Sequence, residues 1–550
     1  MSNELNLDDL KGTVAEWIAD DPSESDRAEL TDLLERLPET ADELADRFSG
    51  RLAFGTAGLR GELRAGPNGM NLAVVSAAAK GLADWLDSEN AVGGVVIGFD
   101  ARYGSRDFAL QTARIVRATG REAFVMPRTL PTPVLAWAVG EYEAAAGVMV
   151  TASHNPPRDN GYKVYLGRGL GGERGASAQI APPVDEKIEA AINAVGRLAD
   201  IPLGDEGTTL PEDILANYLS AIGRAVDADS PRDLSVVATP MHGVGGETLV
   251  KAFAGAGFAE PALVAEQAEP DPDFPTVSFP NPEEPGAMDL LLALAGEKGA
   301  DVAIALDPDA DRCAVAAPDG AGKWRALTGN ETGVLLADHL MRKGARGTYA
   351  TTIVSTTQLG RMCEARGVPY AETLTGFKWI SRAADELAYG FEEALGYCGT
   401  PYVARDKDGI SAALLVAEIA AGLKADGRTI FDRLDELAAE FGVHATGQVS
   451  VRVEDLSLIG DMMARLRASR PERLLGDAVT EYLDREDANV VTVRTADSRL
   501  VVRPSGTEPK LKAYLEVRVD AEGDVAAARP KAAERLDRLA DETRGLLGIE

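Results

Sequence analysis

The chain has 550 residues, 45% apolar and 26% charged, which is the composition of a soluble globular protein too long for a single core. Its net charge of −32 excludes nucleic acid as a partner, because nothing would neutralise a phosphate backbone, and no apolar run is long enough to cross a membrane. Cys313, Cys363 and Cys398 are widely spaced and odd in number, so they form neither a disulfide framework nor a paired metal motif.

The N-terminus carries Glu4, Asp8 and Asp9 where a signal peptide needs apolar residues, so a cytoplasmic protein is expected. Ser23 to Leu37 has the marks of a capped helix. Ser23 and Asp26 fit a capping box, and Leu30, Leu33, Leu34 and Leu37 recur at helical spacing before Pro38. Residues 1–45 are read as a helical extension.

One pattern then repeats. A β-rich apolar run ends in a polar loop and is followed by an Ala/Leu-rich helical stretch, as in "VVIGFDARYGS" (95–105), "GVMVTASHNP" (147–156), "SVVATPMHGVGG" (235–246) and "VAIALDPDADR" (302–312). That alternation predicts α/β units with mixed, mostly parallel sheets, whose ligands collect at the carboxyl ends of strands. From residue 446 the pattern changes to alternating strands around a turn and then a charged helix, which predicts a smaller α+β domain. Breaks at Gly/Pro/polar stretches and near Gly442 divide the chain into 46–208, 209–322, 323–445 and 446–550.

Four loops carry candidate chemistry. In "DPDADR", Asp307, Asp309 and Asp311 alternate just beyond a buried strand, and carboxylates so crowded repel unless a cation lies between them. Oxygen ligands suit Mg²⁺ or Mn²⁺. An EF-hand is excluded, because its sixth and twelfth positions hold Arg312 and Pro318. In "RPSGTEPK", Arg503, Ser505, Gly506, Thr507 and Lys510 could surround an oxyanion, although an ordinary hairpin turn also uses such residues. "FGTAGLRGELRAGPNGMN" (54–71) offers Thr56, Arg60 and Arg64 among glycines, but no Walker A loop occurs in the chain. "TLTGFKWI", with Gly376 and Lys378, and "GFEEALGYCG", with Glu392 and Glu393, could receive sugar hydroxyls in a cleft.

The stretch "VMVTASHNPPRDNGYKVY" places Ser153 and His154 at a strand end. It is not the GxSxG elbow of a hydrolase. Neighbours on an extended chain point to opposite faces, so His154 is expected to be a neighbour of Ser153 and poorly placed as its base. A serine near three metal-binding carboxylates and a separate phosphate loop has the parts needed to carry a phosphoryl group.

Together these loops resemble the α-D-phosphohexomutase superfamily, the phosphoglucomutases and phosphomannomutases. "TASHNPPRDNGYK" resembles its phosphoserine loop, "DPDADR" its metal loop, "RPSGTEPK" its phosphate-binding loop, and "GFKWI" and "FEEALGY" its sugar loops, in family order from about residue 50 to 515. The resemblance implies three α/β domains and a smaller C-terminal domain around a central cleft. It implies a phosphosugar substrate, Mg²⁺ held by Asp307, Asp309, Asp311 and the phosphate on Ser153, a sugar 1,6-bisphosphate activator, and a monomer or homodimer. Arg503, Ser505 and Thr507 would grip the phosphate that is not reacting, and Arg312 would stabilise transferred charge. Lys163 is expected to move a proton with a lowered pKa, and Lys378 is the second choice. Many hexomutases have Glu-x-Ser followed by glycine and histidine in the sugar loop. Here Ala394 stands at the serine's place and Tyr397 near the histidine's, more like the branch with phosphopentomutase and sugar-bisphosphate synthase activities. Glucose 1-phosphate is the expected substrate, with ribose 1-phosphate and mannose 1-phosphate as alternatives. A metal-dependent phosphatase using Asp307 as nucleophile, and a non-catalytic sugar-phosphate sensor, are the rival readings.

Overall fold

The computed structural model describes residues 7–55, 58–453, 455, 457–505 and 510–549. Among them, no helix is long and apolar enough to cross a membrane.

Three helices, Leu7–Asp20, Glu24–Glu35 and Ala41–Arg47, open the chain. Leu30 and Leu33 are buried with Val14, Leu44 and Ala65 in a small core of their own. Only half of the expected capping box forms. The Ser23 side chain accepts from the Asp26 amide at 3.2 Å, but the Ser23 amide donates to Asp21 Oδ1 at 2.8 Å. The extension packs on the arginine loop that follows: Arg64 pairs with Asp46, and Arg47 donates to the Ala65 carbonyl.

Three α/β units and a fourth, α+β unit follow, as the alternating pattern predicts. The first sheet has seven strands. Its main path runs Leu59–Glu62, Asp159–Leu166, Ala146–Val150, Val95–Phe99, Ala123–Val125, Thr208–Thr209. The pairs from Ala146–Val150 through Val95–Phe99 to Thr208–Thr209 are parallel, and the two pairs on the other side are antiparallel. Fully buried runs such as Val95–Phe99 and Ala146–Val150 read as continuous apolar segments because helices cover both faces.

The second sheet centres on Val302–Leu306, parallel to Val236–Thr239 and antiparallel to Cys313–Pro318. The third centres on Thr348–Thr352 and Leu387–Glu392, which are parallel to one another. The fourth is antiparallel throughout, from Val443–Arg452 to Glu481–Arg485, and the helix Val525–Leu547 packs on it. On strand pairing we place Trp324–Ala326 with the second unit and Val443–Arg452 with the fourth, so both units extend slightly past the breaks read from composition. All three cysteines are buried free thiols.

Strand residues and the loops that follow strands meet across unit boundaries. Thr132 of the first unit reaches Asp309 of the second, Gln179 of the first reaches Asp406 of the third, and Thr356 of the third reaches Glu516 of the fourth.

Candidate active site

The strand Val302–Leu306 delivers three aspartates into one buried space. Ala310 has φ +56, a left-handed turn that folds the loop back so that Asp307, Asp309 and Asp311 converge. All three are fully buried, and each offers an oxygen lying within 4.8 Å of the others. Burial and the two neighbouring carboxylates push the Asp307 carboxyl well above its ordinary range. Burial also pushes Asp309 and Asp311 up, but Lys163, together with Thr132 for Asp309 and with Lys407 and Arg312 for Asp311, holds both below it. Asp309 Oδ1 and Asp311 Oδ1 are buried without a hydrogen-bond partner. Buried acceptor oxygens of this kind, in a cluster of three carboxylates, fit a hard divalent cation such as Mg²⁺.

Ser153 comes from the first unit, three residues past the strand Ala146–Val150. Its hydroxyl donates to Asp307 Oδ2 at 2.7 Å, and its amide donates to Thr151 Oγ1 at 3.0 Å. The extended-chain argument about His154 fails here. Ser153 has φ +51, so the backbone turns, and His154 Nδ1 lies 3.2 Å from Ser153 Oγ. Burial and the nearby Arg312 and Arg60 depress the imidazole well below its ordinary pKa, so His154 is neutral.

Lys163 stands on the strand Asp159–Leu166 and donates to Asp309 Oδ2 at 2.7 Å and Asp311 Oδ2 at 2.9 Å. Its expected lowered pKa is overturned. Burial pulls it down, but Asp309 and Asp311 outweigh burial and raise it. Arg312 donates through its amide to Asp307 Oδ1 at 3.0 Å and through Nη1 to the Ala394 carbonyl at 2.9 Å, which ties the metal loop to the third unit. Arg60 donates to Asn155 Oδ1 at 3.0 Å, inside the loop that carries Ser153.

Three contributors were missed in the sequence. Lys407 of the third unit donates to Asp311 Oδ2 at 2.9 Å, and Thr132 to Asp309 Oδ2 at 2.6 Å. Arg102 holds the Ser153 loop through main-chain carbonyls. Lys407 lies in "KDG", ahead of a helix capped by Asp408, and Arg102 in "FDARYGS" after a recognised strand; these were the available signals.

The phosphoglucomutase/phosphomannomutase α/β/α domain models I, II and III match residues 51–197, 216–320 and 328–441, and the family's C-terminal domain model matches 448–541. The chain belongs to the phosphoglucomutase/phosphomannomutase family. This phosphomutase family consists of intramolecular phosphotransferases. A Haemophilus influenzae protein named "Probable phosphomannomutase" is 45% identical over 463 residues, covering 82% of this chain and 93% of the relative. Mouse phosphopentomutase is 34% identical over 541 residues, covering 86% of this chain and 85% of the relative. The solved open form of Paramecium parafusin, a phosphoglucomutase, superposes with a TM-score of 0.69 at 19% identity over 90% of this chain and 96% of that one, which is a likeness of fold.

In this phosphomutase, Glu392 ends a buried strand, and its carboxyl is pushed up to about 7 by burial, against the pull of Lys407 and Arg312. Glu393 accepts from Thr352 Oγ1 at 3.2 Å and Ser355 Oγ at 3.0 Å. Tyr397 is not in a sugar pocket. It is fully buried, part of the main core, with its hydroxyl 3.4 Å from the Gly329 carbonyl. Gly376, at φ +107, starts the short helix Phe377–Ile380, and burial pushes Lys378 on that helix down to about 8. Arg503 of the fourth unit lies close enough to act electrostatically on Lys378 and bonds with Tyr514. The Ser505 amide donates to the Lys510 carbonyl at 2.7 Å. Thr56, Gly506 and Thr507 lie outside the described residues.

Proposed function

We propose that this phosphomutase interconverts the 1-phosphate and 6-phosphate of an aldose, glucose 1-phosphate and glucose 6-phosphate first, through phosphoserine at Ser153 and a sugar-bisphosphate intermediate. One observation carries this reading. Ser153 Oγ lies 2.7 Å from a buried carboxylate of a three-aspartate cluster that is also held by Lys163, Lys407 and Arg312. Phosphoryl transfer needs positioning and charge neutralisation, and the site is built of both.

Asp307, Asp309 and Asp311, with the phosphate on Ser153, would hold Mg²⁺, which when bound neutralises charge on the phosphoryl oxygens. In one half-reaction the P–Oγ bond of phosphoserine breaks as a bond forms to a sugar hydroxyl oxygen. The bisphosphate then turns over, and its other phosphoryl group passes back to Ser153 Oγ. Lys163 enters carrying its proton, so its role is to relay: Nζ gives a proton to the leaving oxygen as it takes one from the attacking sugar hydroxyl, and it ends each half-reaction protonated; an unchanged rate in Lys163→Ala would sink that assignment. His154 orients the Ser153 hydroxyl, and Arg312 stabilises transferred charge. Arg60, Thr56, Gly376, Lys378, Glu392, Glu393, Arg503, Ser505, Gly506, Thr507 and Lys510 are the proposed substrate contacts. A sugar 1,6-bisphosphate would prime the enzyme. The reduced buried thiols and the acidic surface support a cytoplasmic enzyme, working as a monomer or homodimer.

Glu392 and Glu393 would accept from adjacent ring hydroxyls, which a hexose and a pentose both offer. Ala394 removes one hydroxyl partner and, with the phosphopentomutase relative, supports ribose 1-phosphate as the second reading. The Haemophilus relative keeps mannose 1-phosphate in the comparison. The test is kcat/KM for all three sugars with Mg²⁺ and a trace of glucose 1,6-bisphosphate, beside Ser153→Ala. A hexose preference with an inactive Ser153→Ala is expected. A pentose preference moves the substrate, and full activity in Ser153→Ala with release of free phosphate replaces the mutase by a phosphatase.

A further inference from the structure

Arg102 lies just after the strand Val95–Phe99, 4% exposed, and its hydrogen bonds go to the main chain of the Ser153 loop. Nη2 donates to the carbonyls of Ser153 at 2.7 Å and Asn155 at 2.6 Å. Nη1 donates to the carbonyls of Pro156 at 2.7 Å and Asp159 at 3.0 Å. Asp100 backs the clamp. Its Oδ2 stands 3.6 Å from Arg102 Nε, and its Oδ1 accepts from Ser105 Oγ at 2.6 Å and from the Arg102 amide at 3.0 Å.

The loop needs such a clamp. A non-glycine residue at φ +51 is uncommon and persists only where its surroundings over-determine it. At Ser153 that backbone turn brings Oγ to Asp307. Arg102 grips the carbonyl of Ser153 itself and three others downstream, so one guanidinium holds both the strained residue and the turn after it.

The guanidinium also reaches the second unit. It lies 4.9 Å from the centre of the Phe274 ring, in a cation–π contact. The segment around Phe274 is fixed to the loop behind the carboxylates: the Asp271 amide donates to the His242 carbonyl at 3.0 Å, and His242 Nε2 lies 2.8 Å from Thr276 Oγ1. Next along the chain, the Val244 amide donates to the Pro308 carbonyl at 2.8 Å, between Asp307 and Asp309. A continuous series of contacts therefore joins the serine loop to the carboxylate loop.

We propose that Arg102 is a positioning residue that sets Ser153 against the three aspartates, with Phe274 as its anchor on the second unit. The proposal rests on Ser153 being the phosphoryl carrier. It separates the transfer step from substrate binding, because the guanidinium donates to the main chain of the Ser153 loop.

Arg102→Lys keeps the charge but not the planar fork that serves two pairs of carbonyls. It is expected to lower kcat about 100-fold, the scale for small misplacement of a reacting atom, with KM for glucose 1-phosphate within about threefold of wild type. The rate at which Ser153 takes a phosphoryl group from glucose 1,6-bisphosphate should fall by the same factor. Phe274→Leu, which removes only the ring face, should lower kcat about tenfold with KM unchanged. Where Arg102→Lys does not fold, Phe274→Leu carries the test. A folded Arg102→Lys with kcat within about threefold of wild type overturns the proposal, as does one whose KM rises as much as kcat falls. Wild type and Ser153→Ala run alongside. No turnover by wild type refutes the mutase reading, whereas an active wild type, an inactive Ser153→Ala and an active Arg102→Lys refute the clamp alone.

Discussion

Lys378, a proposed substrate contact, should give the site a pH dependence that can be measured directly. Its ammonium is partly buried on the short helix Phe377–Ile380, and burial pushes its pKa down to about 8; Asp185 pulls it up, while Arg382 and Arg503 push it further down. A sugar phosphate is already a dianion above pH 7, since its second ionisation lies near 6, so the ligand's charge does not change in the alkaline range. The lysine's charge does. From about 90% protonated at pH 7, it falls to about 10% at pH 9. If phosphate binding needs the ammonium, kcat/KM drops about tenfold between those values, with an apparent pKa near 8 that belongs to the free enzyme. The assay is the initial rate with glucose 1-phosphate well below KM, from pH 6.5 to 9.5, at fixed Mg²⁺ and glucose 1,6-bisphosphate. Lys378→Arg keeps its charge throughout this range and should flatten the alkaline limb. A flat wild-type profile refutes the reasoning. So does a limb near pH 8 that survives in Lys378→Arg, because the titrating group would then be elsewhere.

Glu516 should fix the fourth unit to the third. Burial alone would raise its carboxyl, but Arg499 at 3.0 Å, His444 at 2.9 Å and Thr356 at 2.6 Å bring it down to about 2. A depressed carboxyl contributes stability that is present above its unfolded value and lost as pH falls through about 2. Glu516→Gln should therefore cost about 3 kcal/mol at pH 7, seen as faster hydrogen exchange in the strand Lys510–Val519; a loss under about 0.5 kcal/mol would refute it. Chelating divalent cations should stop turnover, and calorimetry should find Mg²⁺ bound at least about tenfold more weakly by Ser153→Ala than by phosphorylated wild type; equal affinities would refute the coupling.

Much of this was legible because local chemistry and tertiary role agree. "VAIALDPDADR" reads as a buried strand delivering carboxylates, and the strand Val302–Leu306 does that. "TASHNP" places its serine beyond a strand for the same reason. Two failures share one cause, the direction of a side chain after a turn. His154 was assigned to the far face on the period-two rule, but Ser153 leaves the extended region and the rule stops applying there. Tyr397 was expected near the sugar from its place in the motif. The strand Gly396–Cys398 pairs antiparallel with Leu387–Glu392, and the ring goes into the core. Lys407 had only the local "KDG" signal, which does not name its partner Asp311, nearly a hundred residues away. The lowered pKa expected for Lys163 assumed cations around it. Its nearest partners are Asp309 and Asp311.

The charges explain why the site needs three units. Among the described residues, the three buried aspartates have three cations within 4.0 Å: Lys163 from the first unit at 2.7 Å, Arg312 from the second at 3.8 Å and Lys407 from the third at 2.9 Å. Buried charges of one sign cost several kcal/mol each unless paired, so the second unit alone could not hold its own carboxylate loop closed. With all three aspartates ionised the formal charges of this set cancel, and Asp307, whose carboxyl is raised by burial and by its two neighbours, ionises least readily. A phosphoserine dianion at Ser153 and a divalent cation on the aspartates cancel each other as well, so the site stays balanced when it takes up both. Either one alone leaves a buried double charge with no partner. On the proposed mechanism, assembly of the units, phosphorylation of Ser153 and uptake of the cation would be linked by one electrostatic requirement, and the Mg²⁺ affinity of Ser153→Ala would measure that link without measuring activity.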